Sequence, residues 1–189
     1  MTAWTRSILG FLFLAALGSA VVLPEIVLVK AQTDVNPRLS LTPAIERELR
    51  ALTHLAGADA PSLRGRIVVV TFFASWCPPC VEEFRHLKAV HDAYPAEKIA
   101  IVAVNLLEDW GGLSNAGRLR RFLRRAAPPF TVLRGSEAVS RRFGGIDRIP
   151  TLFVFDRQGN QAYRFIHRVN AKKMNVSDDE LRAVIDALI

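Results

Sequence analysis

The feature that most constrains the fold is the stretch VVVTFFASWCPPCVEEF, which contains both cysteines of this 189-residue chain, Cys77 and Cys80. The run before them, residues 67–73, is apolar and rich in β-branched side chains, which predicts a strand buried on both faces. After them, apolar residues recur at helical spacing from Pro78 until Pro95 ends the pattern. The cysteine pair therefore lies where a buried strand passes into a helix.

The rest of the chain continues as alternating strands and helices. Crossovers between parallel strands are right-handed, and strands joined by a tight turn pair antiparallel. The order β-α-β-α-β-α-β-β-α therefore predicts an α/β fold with a central mixed sheet and helices on both faces. The later predicted elements are strands at 99–104, 130–133, 151–156 and 162–166, and helices over the Arg-rich segment, 136–143 and 178–188.

The N-terminal end of the chain predicts export. Residues 8–23 carry no charge and follow Arg6, but they are fewer than the roughly 20 residues that a membrane-spanning helix needs. We therefore favour a cleaved signal peptide in residues 1–23, with an uncleaved membrane anchor as the alternative. Either interpretation places the remainder outside the cytoplasm, where a disulfide can persist. Residues 24–60 then form a tether with an extra helix, and residues 61–189 form the main domain.

The extra helix is predicted from the spacing of apolar residues in the second half of the tether. Thr42 is a suitable N-cap, and Pro43 is a suitable first helical residue. Apolar residues recur at helical spacing over 45–55, and Gly57 would end the helix.

The chain has a net charge of +7, and its densest run of basic residues is one segment rich in arginine. Leu119 and Phe122 interleave with the arginines at helical spacing, which favours an amphipathic helix with a solvated basic face. An acidic partner or a membrane surface is the alternative use of that face. The chain carries no nucleic-acid-binding motif, so we expect no nucleic-acid partner. The arginines are Arg118, Arg120, Arg121, Arg124 and Arg125.

The position of Cys77 favours nucleophilic chemistry. The N–H groups and the dipole at a helix N-terminus stabilise a thiolate, which is the nucleophile in disulfide exchange. Pro78 is tolerated at the first helical position because its missing N–H would have had no partner there. Cys80 lies one turn further on. Cys77 would therefore attack a substrate disulfide, and Cys80 would resolve the mixed disulfide.

Three other uses of the cysteines stand beside this hypothesis. A zinc site would need His86 and His91, which are five residues apart on one helix and so point to different faces. A copper site would need a distant histidine such as His167. A purely structural disulfide would close a very small loop and would constrain the unfolded chain little. We favour a redox pair, and we expect no bound metal or cofactor.

Two segments resemble the thioredoxin superfamily: FFASWCPPC after an apolar strand, and RIPTLFVFDRQGN much later. Exported chains of this pattern resemble the TlpA-like thiol–disulfide oxidoreductases, which include cytochrome c maturation reductases. The resemblance covers about residues 62–189. It implies a thioredoxin-like fold, an enzyme that acts on protein disulfides, and a membrane electron donor. It also implies a location in the periplasm or on the extracytoplasmic side of the cell membrane.

The same resemblance implies roles for individual residues. Trp76 would flank the nucleophile, a cis Pro150 would face the redox pair, and Ile149 would offer backbone groups to an extended substrate strand. Glu83 could exchange protons with Cys80. The alternative is that Glu83 is an ordinary glutamate that stabilises the helix N-terminus.

The chain departs from the family pattern in three places. Thr71 occupies the position of a buried Asp or Asn and cannot act as a base at neutral pH. Arg85 stands where a proline is common, so we expect the helix to run straighter there. The upstream hairpin of the family is not evident, and the predicted helix over 45–55 stands in its place.

The direction of electron transfer is predicted from the residues around the nucleophile. Pro78 and Pro79 remove two N–H donors that would otherwise stabilise the Cys77 thiolate, and Ile149 before the proline is the thioredoxin-like residue. Both features favour a reductase. A disulfide-donating oxidase would use the same residues and is one alternative. A copper- or zinc-binding metallochaperone that uses the two cysteines is another.

Overall fold

The computed structural model describes residues 38–112 and 115–189. The predicted signal or anchor segment and the first part of the tether lie outside these residues. Among the described helices, none has the length and apolar character needed to cross a lipid bilayer. The strands are β1 His54–Ala56, β2 Ile67–Phe73, β3 Ile99–Asn105, β4 Thr131–Arg134, β5 Thr151–Phe155 and β6 Gln161–Ile166. The helices are α1 Pro43–Arg50, α2 Pro78–Ala93, α3 Ala116–Ala126, α4 Glu137–Arg142 and α5 Asp178–Asp186.

The strands form one mixed sheet in the order β1-β4-β3-β2-β5-β6. β2 lies near the centre, parallel to β3 and antiparallel to β5. β4 extends the parallel side, while β1 and β6 are antiparallel edge strands. Every residue of β2 and β3 is buried, as their continuous apolar sequences require.

Phenylalanine side chains divide the core into two layers. Adjacent residues of a strand point to opposite faces of the sheet. Phe72 contacts Phe143 next to α4 with ring centroids 5.0 Å apart, whereas Phe73 contacts Phe84 of α2 at 4.7 Å. α2 and α4 therefore cover opposite faces of β2, and α3 joins the α2 layer through Phe122. The prediction of a mixed sheet with helices on both faces is confirmed.

The predicted helix over 45–55 is wrong beyond Arg50. α1 ends there, and the residues that follow turn into β1, which pairs with β4. The Arg134 N–H donates to the carbonyl oxygen of Thr53 over 2.8 Å, so pairing with the exposed edge of β4 outweighs the local helical spacing. Leu55 still packs against the core, but from a strand. The sheet thus begins before the domain boundary predicted at residue 61.

At Gly57, the turn after β1 approaches the residue before β4 closely. Its φ is +78°, and a Cβ there would lie 1.8 Å from the carbonyl oxygen of Phe130. Gly65 has a similar φ of +72°, but a Cβ there would meet no atom within 4 Å. We expect Gly57→Ala to lower the free energy of unfolding by at least about 3 kcal/mol, and Gly65→Ala by only about 1–2 kcal/mol, because the latter carries backbone strain alone.

Guanidinium unfolding of the oxidised protein, followed by circular dichroism, measures both changes. Equal losses in the two variants would contradict the close approach of Gly57 to the Phe130 carbonyl.

Candidate active site

The cysteine pair lies at the N-terminus of α2. Cys77 is the N-cap residue and forms a disulfide with Cys80, their Cα atoms 5.3 Å apart. Cys77 is 3% exposed and Cys80 is fully buried, so attack from outside can reach only Cys77. The Cys80 N–H donates to Cys77 Sγ over 3.3 Å. Because Pro78 and Pro79 have no N–H, this is the first backbone donor that the helix offers to the sulfur.

A half-buried carboxylate holds the loop that leads into the pair. Glu108 accepts hydrogen bonds from the Ser75 N–H over 2.9 Å, from the Ser75 hydroxyl, and from the Asn105 side-chain amide over 2.8 Å. Asn105 is the last residue of β3, and Ser75 follows β2. The network therefore ties together the carboxyl ends of two parallel strands and fixes the backbone just before Cys77.

Trp76 is anchored by the same loop. Its indole N–H donates to the carbonyl oxygen of Leu107 over 2.9 Å, and its ring stacks on Trp110 at a centroid distance of 5.5 Å. Trp110 is 62% exposed, so the two rings form an aromatic surface beside Cys77. The sequence pattern places Trp110 and Glu108 only in a loop. The rule that parallel strands converge at their carboxyl ends could have placed that loop beside Cys77.

The Ile149–Pro150 peptide bond is cis and lies at the same edge of the sheet. Thr151 pairs with Phe72, so the two residues before it stand opposite the point where the cysteine loop leaves β2. The Pro150 carbonyl accepts from the His167 N–H over 3.0 Å. Neither backbone group of Ile149 has a hydrogen-bond partner among the described residues. Those two groups remain available to an extended chain laid alongside.

Glu83 lies one turn beyond Cys80, and only 1% of its surface is exposed. The Thr71 hydroxyl of β2 donates to Glu83 Oε1 over 2.5 Å. Burial raises the pKa of Glu83 to about 7, against the opposing influence of the Thr71 hydroxyl and the Val176 backbone. Oε2 of Glu83 has no hydrogen-bond partner in the described part of the chain. The carboxyl group can therefore exist in both protonation states near neutral pH.

The predicted site residues thus converge at one edge of the sheet, and the histidines weighed as metal ligands do not. His86 pairs with Asp178 over 3.0 Å, and His91 lies against its neighbour Asp92. The Nδ1 atom of His167 is buried without a partner in the described part of the chain. Across residues 38–112 and 115–189, no three His, Cys, Asp or Glu side chains are grouped so as to hold a metal ion.

Comparison with known proteins finds a family profile and several similar thiol–disulfide oxidoreductases. A family profile described as Redoxin matches residues 40–185. Sporulation thiol-disulfide oxidoreductase A of Bacillus subtilis is 27% identical over 96 residues, which cover 51% of this chain and 56% of the relative. Thiol-disulfide oxidoreductase ResA of Geobacillus thermodenitrificans is 25% identical over 96 residues, 51% of this chain and 52% of the relative. The chain thus spans about half the length of these curated relatives.

The solved structures show the same fold. The crystal structure of StoA from Bacillus subtilis superposes with a TM-score of 0.54 at 21% identity, covering 71% of this chain and 96% of that one. The predicted thioredoxin-like fold is confirmed.

The buried Glu83 carboxyl group should make stability depend on pH. Because its folded pKa is raised from 4.5 to about 7, the folded state retains a proton that the unfolded chain has released between those values. The free energy of unfolding therefore falls as the pH rises through this range and stays lower above it. Glu83→Gln removes the buried charge. We therefore expect its effect on the free energy of unfolding of the oxidised protein to be about 2–3 kcal/mol more stabilising at pH 8 than at pH 5.

Chemical denaturation at the two pH values measures this difference, and Glu82→Gln is the matched control. Glu82 precedes Glu83, but its pKa is lowered through its hydrogen bond to Arg85, so its substitution should give no gain at pH 8. A pH-independent effect of Glu83→Gln would show that the carboxyl group does not titrate in this range.

Proposed function

The chain belongs to the Redoxin family, and we propose that it is an exported thiol–disulfide oxidoreductase that reduces protein disulfides through Cys77 and Cys80. One observation carries the proposal. The more exposed sulfur caps the helix and the buried sulfur lies within bonding distance behind it, which is the arrangement that two-step dithiol exchange requires.

The reaction begins with the reduced pair. The Cys77 thiolate attacks one sulfur of the substrate disulfide; that S–S bond breaks, and the departing substrate sulfur leaves as a thiolate that takes up a proton. Cys80 then loses its proton and attacks Cys77 Sγ, which releases the second substrate thiol and closes the Cys77–Cys80 disulfide. Two electrons have passed to the substrate, and an external dithiol must return them before the next cycle.

Glu83 is the group that we assign to proton exchange with Cys80. It follows Cys80 by one helical turn, both side chains are buried, and bulk water is excluded from them. A carboxyl group with a pKa of about 7 can accept the Cys80 proton as the thiol attacks and release it afterwards. Thr71 can orient this carboxyl group by donating to it but cannot replace it as a base.

Substrate positioning falls to the groups that surround the pair. The backbone groups of Ile149, which have no partner among the described residues, can hydrogen-bond an extended substrate segment beside the cis Pro150. The Trp76 ring offers an apolar contact next to Cys77 and is held in place through Leu107. Backbone pairing tolerates many sequences, which suits an enzyme that acts on protein disulfides.

Export and re-reduction complete the proposed function. The apolar, weakly basic N-terminal segment of residues 1–23 supports export to the periplasm or attachment on the extracytoplasmic side of the membrane. There a membrane electron donor would supply the returning electrons. Disulfides of apocytochrome c during cytochrome c maturation are one substrate class consistent with such a reductase.

The reduction potential of the Cys77–Cys80 pair distinguishes the proposed reductase from an oxidase that uses the same residues. It is measured by equilibrating the full chain in glutathione redox buffers and quantifying the two thiols by alkylation. We expect a value near the roughly −270 mV of thioredoxin. A value near the roughly −120 mV of a strong periplasmic oxidant would reverse the direction of the reaction.

Trapping tests the two sulfur roles. Cys80→Ser leaves the nucleophile without its resolving partner, so the mixed disulfide with a substrate protein should accumulate as a higher-mass band on non-reducing gels. Cys77→Ser should abolish disulfide turnover and give no such band. Equal trapping by the two variants, or no trapping by Cys80→Ser, would refute the assignment.

A further inference from the structure

A groove between α2 and α3 opens directly beside the cysteine pair. It has a volume of about 450 Å³, and its wall includes Ser75 and Val81. Ser75 lies two residues before Cys77, and Val81 lies one residue after Cys80. Val81 is 43% exposed, an open apolar side chain next to a buried sulfur. A segment bound in this groove would therefore lie within a few residues of a disulfide presented to Cys77.

The floor of the groove is aromatic. Phe84 of α2 and Phe122 of α3 meet there with ring centroids 4.9 Å apart, and both are almost fully buried. An apolar side chain entering the groove would pack over these rings, and the apolar area that it removes from water would come mainly from Val81, which is 43% exposed. Each such side chain contributes binding free energy in proportion to the apolar area that it removes from water.

The rim of the groove is cationic. Arg85, Lys88 and Arg125 line it, and none of the described residues that line it is acidic. Lys88 Nζ donates to the Ala126 carbonyl over 3.1 Å, which holds the ammonium group at the wall. Arg85 pairs with Glu82 on the exposed side of α2, while Arg125 has no ion-pair partner among the described residues. The groove therefore carries net positive charge even after the pair with Glu82 is counted.

The arginines of α3 do not all serve one solvated face. Phe122, Arg125 and Ala126 share the side of the helix that lines the groove. At 100° per residue, Arg120 and Arg124 lie roughly opposite Phe122 and point away from it. Exposure to water is a sufficient explanation for Arg120 and Arg124. It does not explain why Arg125 lies beside the aromatic floor and the cysteine pair.

We propose that the α2–α3 groove binds an acidic segment, with at least one apolar side chain, of the protein whose disulfide Cys77 attacks. This inference rests on the proposed function, and it specifies the charge and the apolar character of the substrate segment. Carboxylates would face the cationic rim while the apolar side chain packs over the aromatic floor and against the exposed Val81. A flat anionic membrane surface would match the charge but would not fill a concave apolar floor, and it would cover the edge at which Cys77 must be reached.

The test uses two synthetic peptide disulfides that differ only in charge. One carries Asp, Glu and Leu around its cystine, and the other carries Asn, Gln and Leu at the same positions. The reduced full chain is mixed with each peptide in the presence of phosphatidylcholine vesicles, and the second-order rate constant is measured by chromatography. We expect the acidic peptide to be reduced at least about tenfold faster at low ionic strength, with the preference falling at high salt, about 0.5 M NaCl.

The variant Arg125→Glu should reduce that preference to about one, because it places a like charge against the peptide carboxylates. Arg124→Glu is the matched control: it makes the same charge change on the adjacent, exposed residue but outside the groove, and should leave most of the preference in place. Equal effects of the two variants would show that the overall positive charge of α3 attracts the peptide, and would contradict binding in the groove. Equal rates for the two peptides with the unsubstituted chain would overturn it as well.

A small neutral disulfide and anionic lipid distinguish failure of the groove from failure of the proposed function and from membrane binding. Hydroxyethyl disulfide is small and uncharged, so its reduction does not need the groove. If it is reduced without a peptide preference, only the groove fails; if nothing is reduced, the proposed function fails with it. If vesicles that contain anionic lipid abolish the preference while phosphatidylcholine vesicles do not, the lipid headgroups occupy the cationic rim, and the rim is assigned to the membrane surface instead.

Discussion

The burial of β2 on both faces is the constraint on which the site depends. With β3 on one side and β5 on the other, the strand has no freedom to shift its register, since any one-residue slip would reverse Phe72 and Phe73 between the two core layers. Its carboxyl end is therefore fixed relative to the end of β3 and the start of β5. The cysteine loop follows β2, the Glu108 network follows β3, and the Ile149–Pro150 bond precedes β5. They meet at this end of the sheet because the pairing of the three strands fixes it.

The same burial explains the chemistry assigned to Glu83. A carboxyl group removed from water loses solvation in its charged form, and here the Thr71 hydroxyl and the Val176 backbone offset only part of that loss. An Asp at position 71 would place a second carboxylate beside Glu83, and the two charges would repel each other. Thr71 avoids that repulsion by acting only as a donor. The proton exchange that we propose for Cys80 would therefore depend on this one buried carboxyl group.

Prediction from sequence succeeded where the determining interactions are local or strongly periodic. The strand–cysteine–helix junction depends on contiguous residues, and its position follows from burial pattern, proline placement and helix capping. β1 was missed because its pairing with β4 joins segments far apart in sequence, and its apolar spacing continued that of α1. The roles of Glu108 and Trp110 were missed for the same reason. Glu108 contacts Ser75 and Trp110 stacks on Trp76, and both contacts join loops that are far apart in sequence.

The substrate contacts that we propose are divided between the two sides of β2. Ile149 lies on the β5 side of the cysteine pair, whereas α3 connects β3 to β4 and places the groove on the other. Backbone pairing at Ile149 accepts almost any extended segment and so supplies affinity with little selectivity. The groove adds a contribution that depends on charge and apolar shape, and specificity is the difference of such contributions between competing partners. On these proposals a substrate disulfide would be held from both sides and presented to Cys77 between them, so the selectivity of a small active site would come from surface that takes no part in the chemistry.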